Sequence, residues 1–149
     1  MFTFPGNIDG GLIFNHTDNG DILIQGKIDG GSTVTLVSNG GSVTIEGKID
    51  GGSRATLTAA NDVRIGVVGG DGDKKIDGGS NVDVNAGGSV SLGNKIDGGA
   101  TARLSTGAGT IHIHYKIDGG NTHVMFWPSD SLIVDGGIHG GANVVPEQS

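Results

Sequence analysis

The sequence is built on a short phrase, Lys-Ile-Asp-Gly-Gly, that returns about every 20 residues. Intact copies begin at Lys27, Lys48, Lys75, Lys95 and Lys116. A diverged copy opens the series at Asn7, and a remnant, Val-Asp-Gly-Gly, closes it at Val134. The aspartates of the six main copies lie 20, 21, 27, 20 and 21 residues apart, at Asp9, Asp29, Asp50, Asp77, Asp97 and Asp118. A repeat of this length in a glycine-rich chain indicates a solenoid, in which each coil stacks on the previous one.

Within each copy, apolar and polar residues alternate on either side of a glycine-rich corner. In the second coil, Val34 and Leu36 precede the corner and Val43 and Ile45 follow it. Alternation with a period of two predicts strands with one buried face. Counting the Lys-Ile-Asp segment, each coil has three short strands that face a narrow aliphatic core. The predicted fold class is therefore all-β: a parallel β-helix, or β-solenoid, of about six coils of 20–21 residues with capped ends.

Superposing the copies divides the 149 residues of this single predicted domain into caps and coils. Residues 1–6 form an N-terminal cap, residues 7–134 form the coils with an insertion at 66–74, and residues 135–149 form a C-terminal cap or tail. The same superposition points His16, His123 and Met125 inward in the end coils. Solenoid ends expose strand edges and core, so we expect aromatic residues near both ends to cover them.

The Gly-Gly corners followed by alternating aliphatic residues carry a resemblance. The stretches at 40–45 and 87–92 resemble the repeats of filamentous-haemagglutinin-type adhesins and other bacterial right-handed β-helices, and at the level of fold also bactofilin-like cytoskeletal solenoids. The resemblance spans nearly the whole chain. Together with the coil length it implies a right-handed coil, and it implies a structural or adhesive role.

Charge and composition exclude several classes of function. The formal net charge of −7 disfavours binding to nucleic acid, which needs a positive field. No cysteine is present, so disulfides and cysteine-ligated metals are excluded. No signal peptide and no transmembrane segment are visible, so we leave the compartment open between the cytoplasm and export by a leaderless route.

The repeated aspartates form the first candidate site. If each isoleucine of the repeat points inward, the flanking lysine and aspartate point outward and form ladders along the solenoid. Stacked carboxylates repel unless they are neutralised. We expect a structural answer, in which each aspartate pairs with a lysine or accepts hydrogen bonds from the Gly-Gly turn. The alternative is a carboxylate lattice for Ca²⁺ or polysaccharide hydroxyls.

The sequence also contains partial matches to metal-binding and catalytic patterns. His112 and His114 face outward with Asp135 stacked beside His114, a donor set that suits Zn²⁺, but no metal site or cofactor is assigned from the sequence. Residues 69–74 approach the calcium-binding nonapeptide pattern, yet Lys74 stands where that pattern needs aspartate. Parallel β-helix enzymes that cleave polysaccharides gather acids, arginines or lysines on one face. Here Arg54, Arg64 and Arg103 fall in different columns of the stacked repeats. The enzyme question therefore stays open, with a non-enzymatic role favoured.

Aromatic and histidine side chains gather in the C-terminal third, where outward positions are otherwise threonine and serine. This predicts either a cap that folds over the end or a ligand-binding or partner-binding surface, made of His112, His114, Tyr115, Phe126 and Trp127. The function predicted is a non-enzymatic structural or adhesive module that acts by self-association or by binding a protein or glycan partner. The alternatives are a β-helix that binds or cleaves polysaccharides and a toxin or effector with an aromatic contact patch.

Overall fold

The computed structural model describes residues 1–66, 76–107, 109–128 and 131–146 of the chain. In these ranges the protein is all-β, without a helix, and its strands form two parallel sheets of seven strands each. The same ranges therefore contain no helix with the length and apolar character needed to cross a membrane. The β-solenoid predicted from the repeat is confirmed, while its right-handed sense stays a prediction.

One sheet is built from the longer strands that follow the Gly-Gly turns. These strands are β2 (Ile13–Asp18), β4 (Thr33–Ser38), β6 (Arg54–Ala59), β8 (Asn81–Ala86), β10 (Thr101–Thr106), β12 (His123–Trp127) and β14 (Asn143–Pro146). Each strand pairs with the strand one coil away, so that sequence neighbours such as β2 and β3 lie in different sheets. We call this the long-strand sheet.

The second sheet is built from three-residue strands. They are β1 (Phe2–Phe4), β3 (Ile22–Ile24), β5 (Val43–Ile45), β7 (Val63–Ile65), β9 (Val90–Leu92), β11 (Ile111–Ile113) and β13 (Leu132–Val134). They stack in this order and in register, for example Ile22 on Val43 and Ile24 on Ile45. We call this the short-strand sheet.

The third side of each coil is shorter than the sequence predicted. In place of a third strand, a single isoleucine of the repeat forms an isolated parallel bridge to the isoleucine of the next coil. Six such bridges connect Ile8, Ile28, Ile49, Ile76, Ile96, Ile117 and Ile138. The Gly-Gly turn begins directly after the aspartate, so this segment is too short to form a longer strand ladder.

The core lies between these three sides and is almost entirely aliphatic. Val34, Leu36, Val43, Ile45 and the repeat isoleucine Ile49 are 0 % exposed. β-Branched and leucine side chains pack well on a pleated, buried surface, which explains their dominance in these columns. In-register parallel stacking then places like residues on like, so each coil repeats the packing of the previous one.

Strand β12 differs from the prediction by one position. Superposition of the repeats predicts His123 and Met125 on the inner face, but Val124 and Phe126 face the core, with Phe126 stacked on Leu104 and only 7 % exposed. An additional residue in the turn before β12, Asn121, shifts the strand by one. Because side chains alternate with a period of two, this shift exchanges the two faces of the strand.

The two ends of the solenoid are built differently. At the N-terminal end, β1 pairs with β3, and Phe2 and Phe4 pack against the core beside Phe14. At the other end the coils continue past residue 134, the predicted boundary with the cap. Ile138 bridges Ile117, and β14 pairs with β12, so the last copy of the repeat is Ile138-His139-Gly140-Gly141 and not the predicted remnant at Val134.

Candidate functional site

The repeat aspartates form ion pairs inside their own coils. The lysine two residues earlier places Nζ 2.8–3.0 Å from Oδ2 of the aspartate, in the pairs Lys27–Asp29, Lys48–Asp50, Lys95–Asp97 and Lys116–Asp118. Both side chains stand on the same outward face because residues two apart in an extended segment share a face. The second carboxylate oxygen, Oδ1, accepts a hydrogen bond from the N–H of the following glycine, as at Gly51 with a distance of 2.7 Å.

These contacts shift the acidity of the carboxyl groups. The pKa of Asp29 is lowered by the hydrogen bond from Lys27 and then by the Gly30 N–H. Burial by itself raises the pKa of Asp50 and Asp97, but the lysine and the glycine N–H outweigh it and the net shift is again downward. The carboxylates are therefore held ionised by groups of their own coil, which is the structural role that the sequence predicted for the ladder.

Asp77 and Asp9 complete the ladder. Asp77 also accepts the N–H of the next glycine, at 2.7 Å, while Lys75 lies outside the described residues. In the first coil the lysine position is Asn7, and Asp9 has no ion pair or side-chain hydrogen bond to any described residue. Asp9 thus differs in its contacts from the aspartates of the central coils.

His112, His114 and Asp135 form the densest group of metal-type donor atoms in the described structure. Each residue offers one donor atom, and these atoms all lie within 4.8 Å of one another. His112 Nε2 is 2.9 Å from Asp135 Oδ1, and His114 Nδ1 is 3.7 Å from Asp135 Oδ2. The two imidazole rings stack, with centroids 3.7 Å apart. His112 lies on the outward face of β11, His114 directly follows that strand, and Asp135 directly follows β13.

The backbone register explains why these three residues meet. Ile113 pairs with Val134, so the residues that follow them, His114 and Asp135, lie on neighbouring coils. The Asp135 N–H donates to the carbonyl of Ile113 at 3.0 Å, which fixes this position. Alternation and stacking therefore place the group as the sequence predicted.

His114 is the more enclosed of the two histidines. Its other ring nitrogen, Nε2, lies 3.2 Å from the hydroxyl of Ser91 on β9. Burial lowers the pKa of His114, and the neighbouring His112 lowers it further, against the opposing effect of Asp135. The neutral imidazole is favoured, and neutral imidazole is the form that binds metals.

The remaining residues of the predicted contact surface do not join this group. Tyr115 is 52 % exposed at the corner after β11, and Trp127 is 37 % exposed at the end of β12, in the other sheet. The prediction that Phe126 contributes to a contact surface is wrong, because the shifted register of β12 places its ring in the core. The calcium-like stretch at 69–74 lies outside the described residues.

A depression on the outward face of the long-strand sheet is a site that sequence reasoning missed. It has a volume of about 410 Å³ and lies over β8, whose Asn81 and Asp83 are flanked by Arg54 of β6 and Arg103 of β10. The two arginines do belong to different columns, as predicted, but these columns are neighbours in the sheet. The short side chains of β8 between the long arginines create the concavity.

Comparisons with protein families, with curated proteins and with solved structures find no match to this chain. The assignment of a function therefore depends on the geometry described above.

Proposed function

We propose that the protein is a rigid, non-enzymatic structural module that associates end to end with other copies of itself. The observation that carries this proposal is the difference between the first and last isoleucines of the repeat column. Ile8, at the N-terminal end, is 0 % exposed, whereas Ile138, at the C-terminal end, is 51 % exposed. The isoleucine column is therefore covered at the N-terminal end and open to solvent at the C-terminal end.

The strand edges of both ends favour the same contact. Strands β1 and β2 are edge strands at the N-terminal end, and β13 and β14 are edge strands at the C-terminal end. Edge strands present unpaired N–H and C=O groups to any strand that approaches in register. A second copy stacked on the C-terminal end would place its β1 on β13 and its β2 on β14, which continues both parallel sheets.

The side chains at the two ends are also compatible in chemistry. The N-terminal end presents aromatic rings, with Phe2 stacked on His16 at 3.7 Å between centroids and Phe4 meeting Phe14 edge to face at 5.1 Å. The C-terminal end presents partly exposed Leu132, Val134 and Val144 around Ile138. A head-to-tail contact would cover both apolar surfaces. Because such a contact is heterologous, it leaves a free end on each copy and leads to filaments.

Sedimentation velocity over a range of protein concentrations, with negative-stain images of the same samples, tests this proposal. We expect species larger than the 14.9 kDa chain that grow with concentration, and elongated particles. Ile138→Lys should abolish them, because a charge at the open end must be desolvated in the contact. Asn85→Lys is the matched control, since Asn85 is exposed on the outward face of β8, in the middle of the solenoid and away from both ends.

A wild-type chain that sediments as a single 14.9 kDa species at every concentration would contradict end-to-end association. Equal loss of assembly in both lysine variants would show that the added charge acts wherever it is placed. The resemblance to filamentous-haemagglutinin-type repeats supports an adhesive use of such a module, and the family itself stays a prediction.

A second candidate function, binding of acidic polysaccharides, is favoured by the depression over β8. Arginines bind carboxylates in a planar, bidentate manner, and the amide of Asn81 offers hydrogen bonds to hydroxyls. Titration with uronic acid oligosaccharides tests this function. Binding that is lost in Arg54→Ser but kept in Arg64→Ser would support it, because Arg64 lies on the short-strand sheet and pairs with Asp62 at 2.9 Å. No binding to the wild-type chain would exclude it.

A further inference from the structure

The geometry points to a Zn²⁺ site formed by His112, His114 and Asp135. Two imidazoles and one carboxylate are a ligand set that Zn²⁺ takes in proteins, commonly with water in the fourth position. The three donor atoms come from two neighbouring coils and lie within 4.8 Å of one another without any rearrangement of the backbone. Asp135 follows the edge strand β13, but the three side chains lie on the outward face, and metal binding there goes beyond the proposed end-to-end association.

The distances between donor atoms fit a tetrahedral ion. With Zn–N and Zn–O bonds of about 2.0–2.1 Å, two ligand atoms of a tetrahedral site lie about 3.3 Å apart. His112 Nε2 lies 2.9 Å from Asp135 Oδ1 and His114 Nδ1 lies 3.7 Å from Asp135 Oδ2, so each histidine nitrogen is near that spacing from one oxygen of the carboxylate. Binding an ion through one of these oxygens needs side-chain rotations only, in which the metal replaces the contact between His112 and Asp135.

The contacts around His114 fix the nitrogen that faces the site. A histidine that binds a metal through one ring nitrogen usually donates a hydrogen bond from the other. Nε2 of His114 lies 3.2 Å from the Ser91 hydroxyl, which leaves Nδ1 as the nitrogen that faces Asp135. Ser91 comes from β9, so three successive coils contribute to the arrangement.

The exposure of the ligands indicates an open site. The side chains of His112 and His114 are 32 % and 21 % exposed, and that of Asp135 is 50 % exposed. Structural zinc sites are closed by four protein ligands, whereas a site with three ligands keeps a position for water or an exogenous group. Among the described residues, these three are the one group of histidine, aspartate and glutamate side chains whose donor atoms lie close enough together to hold a metal ion.

Isothermal titration calorimetry with Zn²⁺ and absorption spectroscopy with Co²⁺ test the site. The full chain should be used after removal of any purification tag and treatment with a chelator. We expect one ion per chain and a Co²⁺ spectrum of tetrahedral type. His112→Ala, His114→Ala and Asp135→Asn should each weaken binding at least tenfold, since each removes one of three ligands.

His123→Ala is the matched control, because His123 is an exposed histidine on the other sheet whose ring contacts Asn143. It should bind Zn²⁺ as the wild-type chain does. Thermal melting of each variant without metal should match the wild-type chain, which separates ligand loss from unfolding. Unchanged affinity in the His112, His114 and Asp135 variants, equal weakening in His123→Ala, or a Co²⁺ spectrum identical to the free ion would overturn the proposal.

Discussion

Asp9 and His139 occupy the same position of the repeat at opposite ends of the solenoid. Each follows an isoleucine of the bridged column, Asp9 after Ile8 and His139 after Ile138. Asp9 lacks the lysine that neutralises most of the other aspartates, and His139 stands where those coils have aspartate. A head-to-tail contact between two copies would stack them at the spacing of one coil, about 4.8 Å.

This relationship predicts a charge-swap experiment. Asp9→Lys and His139→Asp should each weaken end-to-end association, because His139→Asp sets two carboxylates against each other and Asp9→Lys removes the carboxylate that stacks on His139. An exposed pair is worth about 0.2–1 kcal/mol, so the dissociation constant should rise by up to roughly fivefold. The double variant places opposite charges at the contact and should recover association. Sedimentation velocity at low salt, where such pairs are least screened, measures all four chains.

Asp83→Lys serves as the control for the change in net charge. Asp83 lies on the outward face of β8, in the middle of the solenoid, so its replacement should leave association unchanged. A double variant that associates no better than the single variants would rule out the proposed contact between residues 9 and 139.

The lysine–aspartate pairs predict lower stability in acid. The pKa of Asp29, Asp50, Asp97 and Asp118 is below the ordinary value of 3.8 in the folded chain. As the pH falls, the unfolded chain therefore takes up protons first, and the free energy of unfolding decreases. The stabilisation is fully present above about pH 5 and is lost as the pH falls through the folded values.

Denaturant unfolding at pH 7, 5, 4 and 3 measures this dependence. The free energy of unfolding should stay nearly constant from pH 7 to pH 5, apart from a small decrease that the lowered pKa of His114 causes, and then decline. Asp50→Asn should decline less steeply than the wild-type chain, because one of the shifted carboxyl groups is absent. A free energy that is constant or rises between pH 5 and pH 3 would contradict the assignment.

Burial along the isoleucine column predicts very different costs for the same substitution. Ile49 is 0 % exposed and Ile138 is 51 % exposed. Ile49→Ala should lower the free energy of unfolding by about 2–5 kcal/mol, because it removes buried methyl groups and leaves a cavity. Ile138→Ala should cost about 1 kcal/mol or less. Urea unfolding at low protein concentration measures both, and similar costs would show that Ile138 is covered in solution.

Much of the fold could be predicted because every coil packs the same types of side chain in the same positions. The repeat isoleucines and the alternating aliphatic residues recur at fixed spacing, and stacking in register makes each column uniform. The single-residue bridge at Ile49 could not be predicted, since the sequence of a three-residue segment is compatible with a short strand and with a corner.

Which face of β12 is buried could not be predicted, because either face could be placed against the core. His123 and Met125 on one face and Val124 and Phe126 on the other both include an apolar residue. The decision lies in the turn, where Asn121 adds one residue and Thr122 occupies the buried position that serine or alanine holds in the preceding coils. Alternation within a strand does not report the length of the preceding turn.

The candidate sites differ in the same way. Backbone register alone brings His114 and Asp135 together, so alternation and stacking were sufficient to predict their proximity. The depression over β8 depends on the sizes of side chains on three adjacent strands, and Arg54 and Arg103 meet at it from different columns. Such a feature follows from side-chain shape and not from the period of the sequence.

The two glycines of one turn predict a graded response to substitution. Gly51 and Gly52 both have positive φ, 65° and 72°, a conformation in which a Cβ costs about 1–2 kcal/mol. A Cβ on Gly52 would meet nothing within 4 Å, so Gly52→Ala should cost that amount and no more.

A Cβ on Gly51 would also lie 2.7 Å from the backbone nitrogen of Gly30 and against the Asp29 carboxylate, one coil away. Gly51→Ala should therefore be more destabilising than Gly52→Ala, because neighbouring coils must separate to accept it. Gly52→Asn should cost less than Gly52→Ala, since asparagine tolerates this conformation better. Urea unfolding of the three variants measures the order, and equal losses for Gly51→Ala and Gly52→Ala would show that the coils are less closely stacked at this turn.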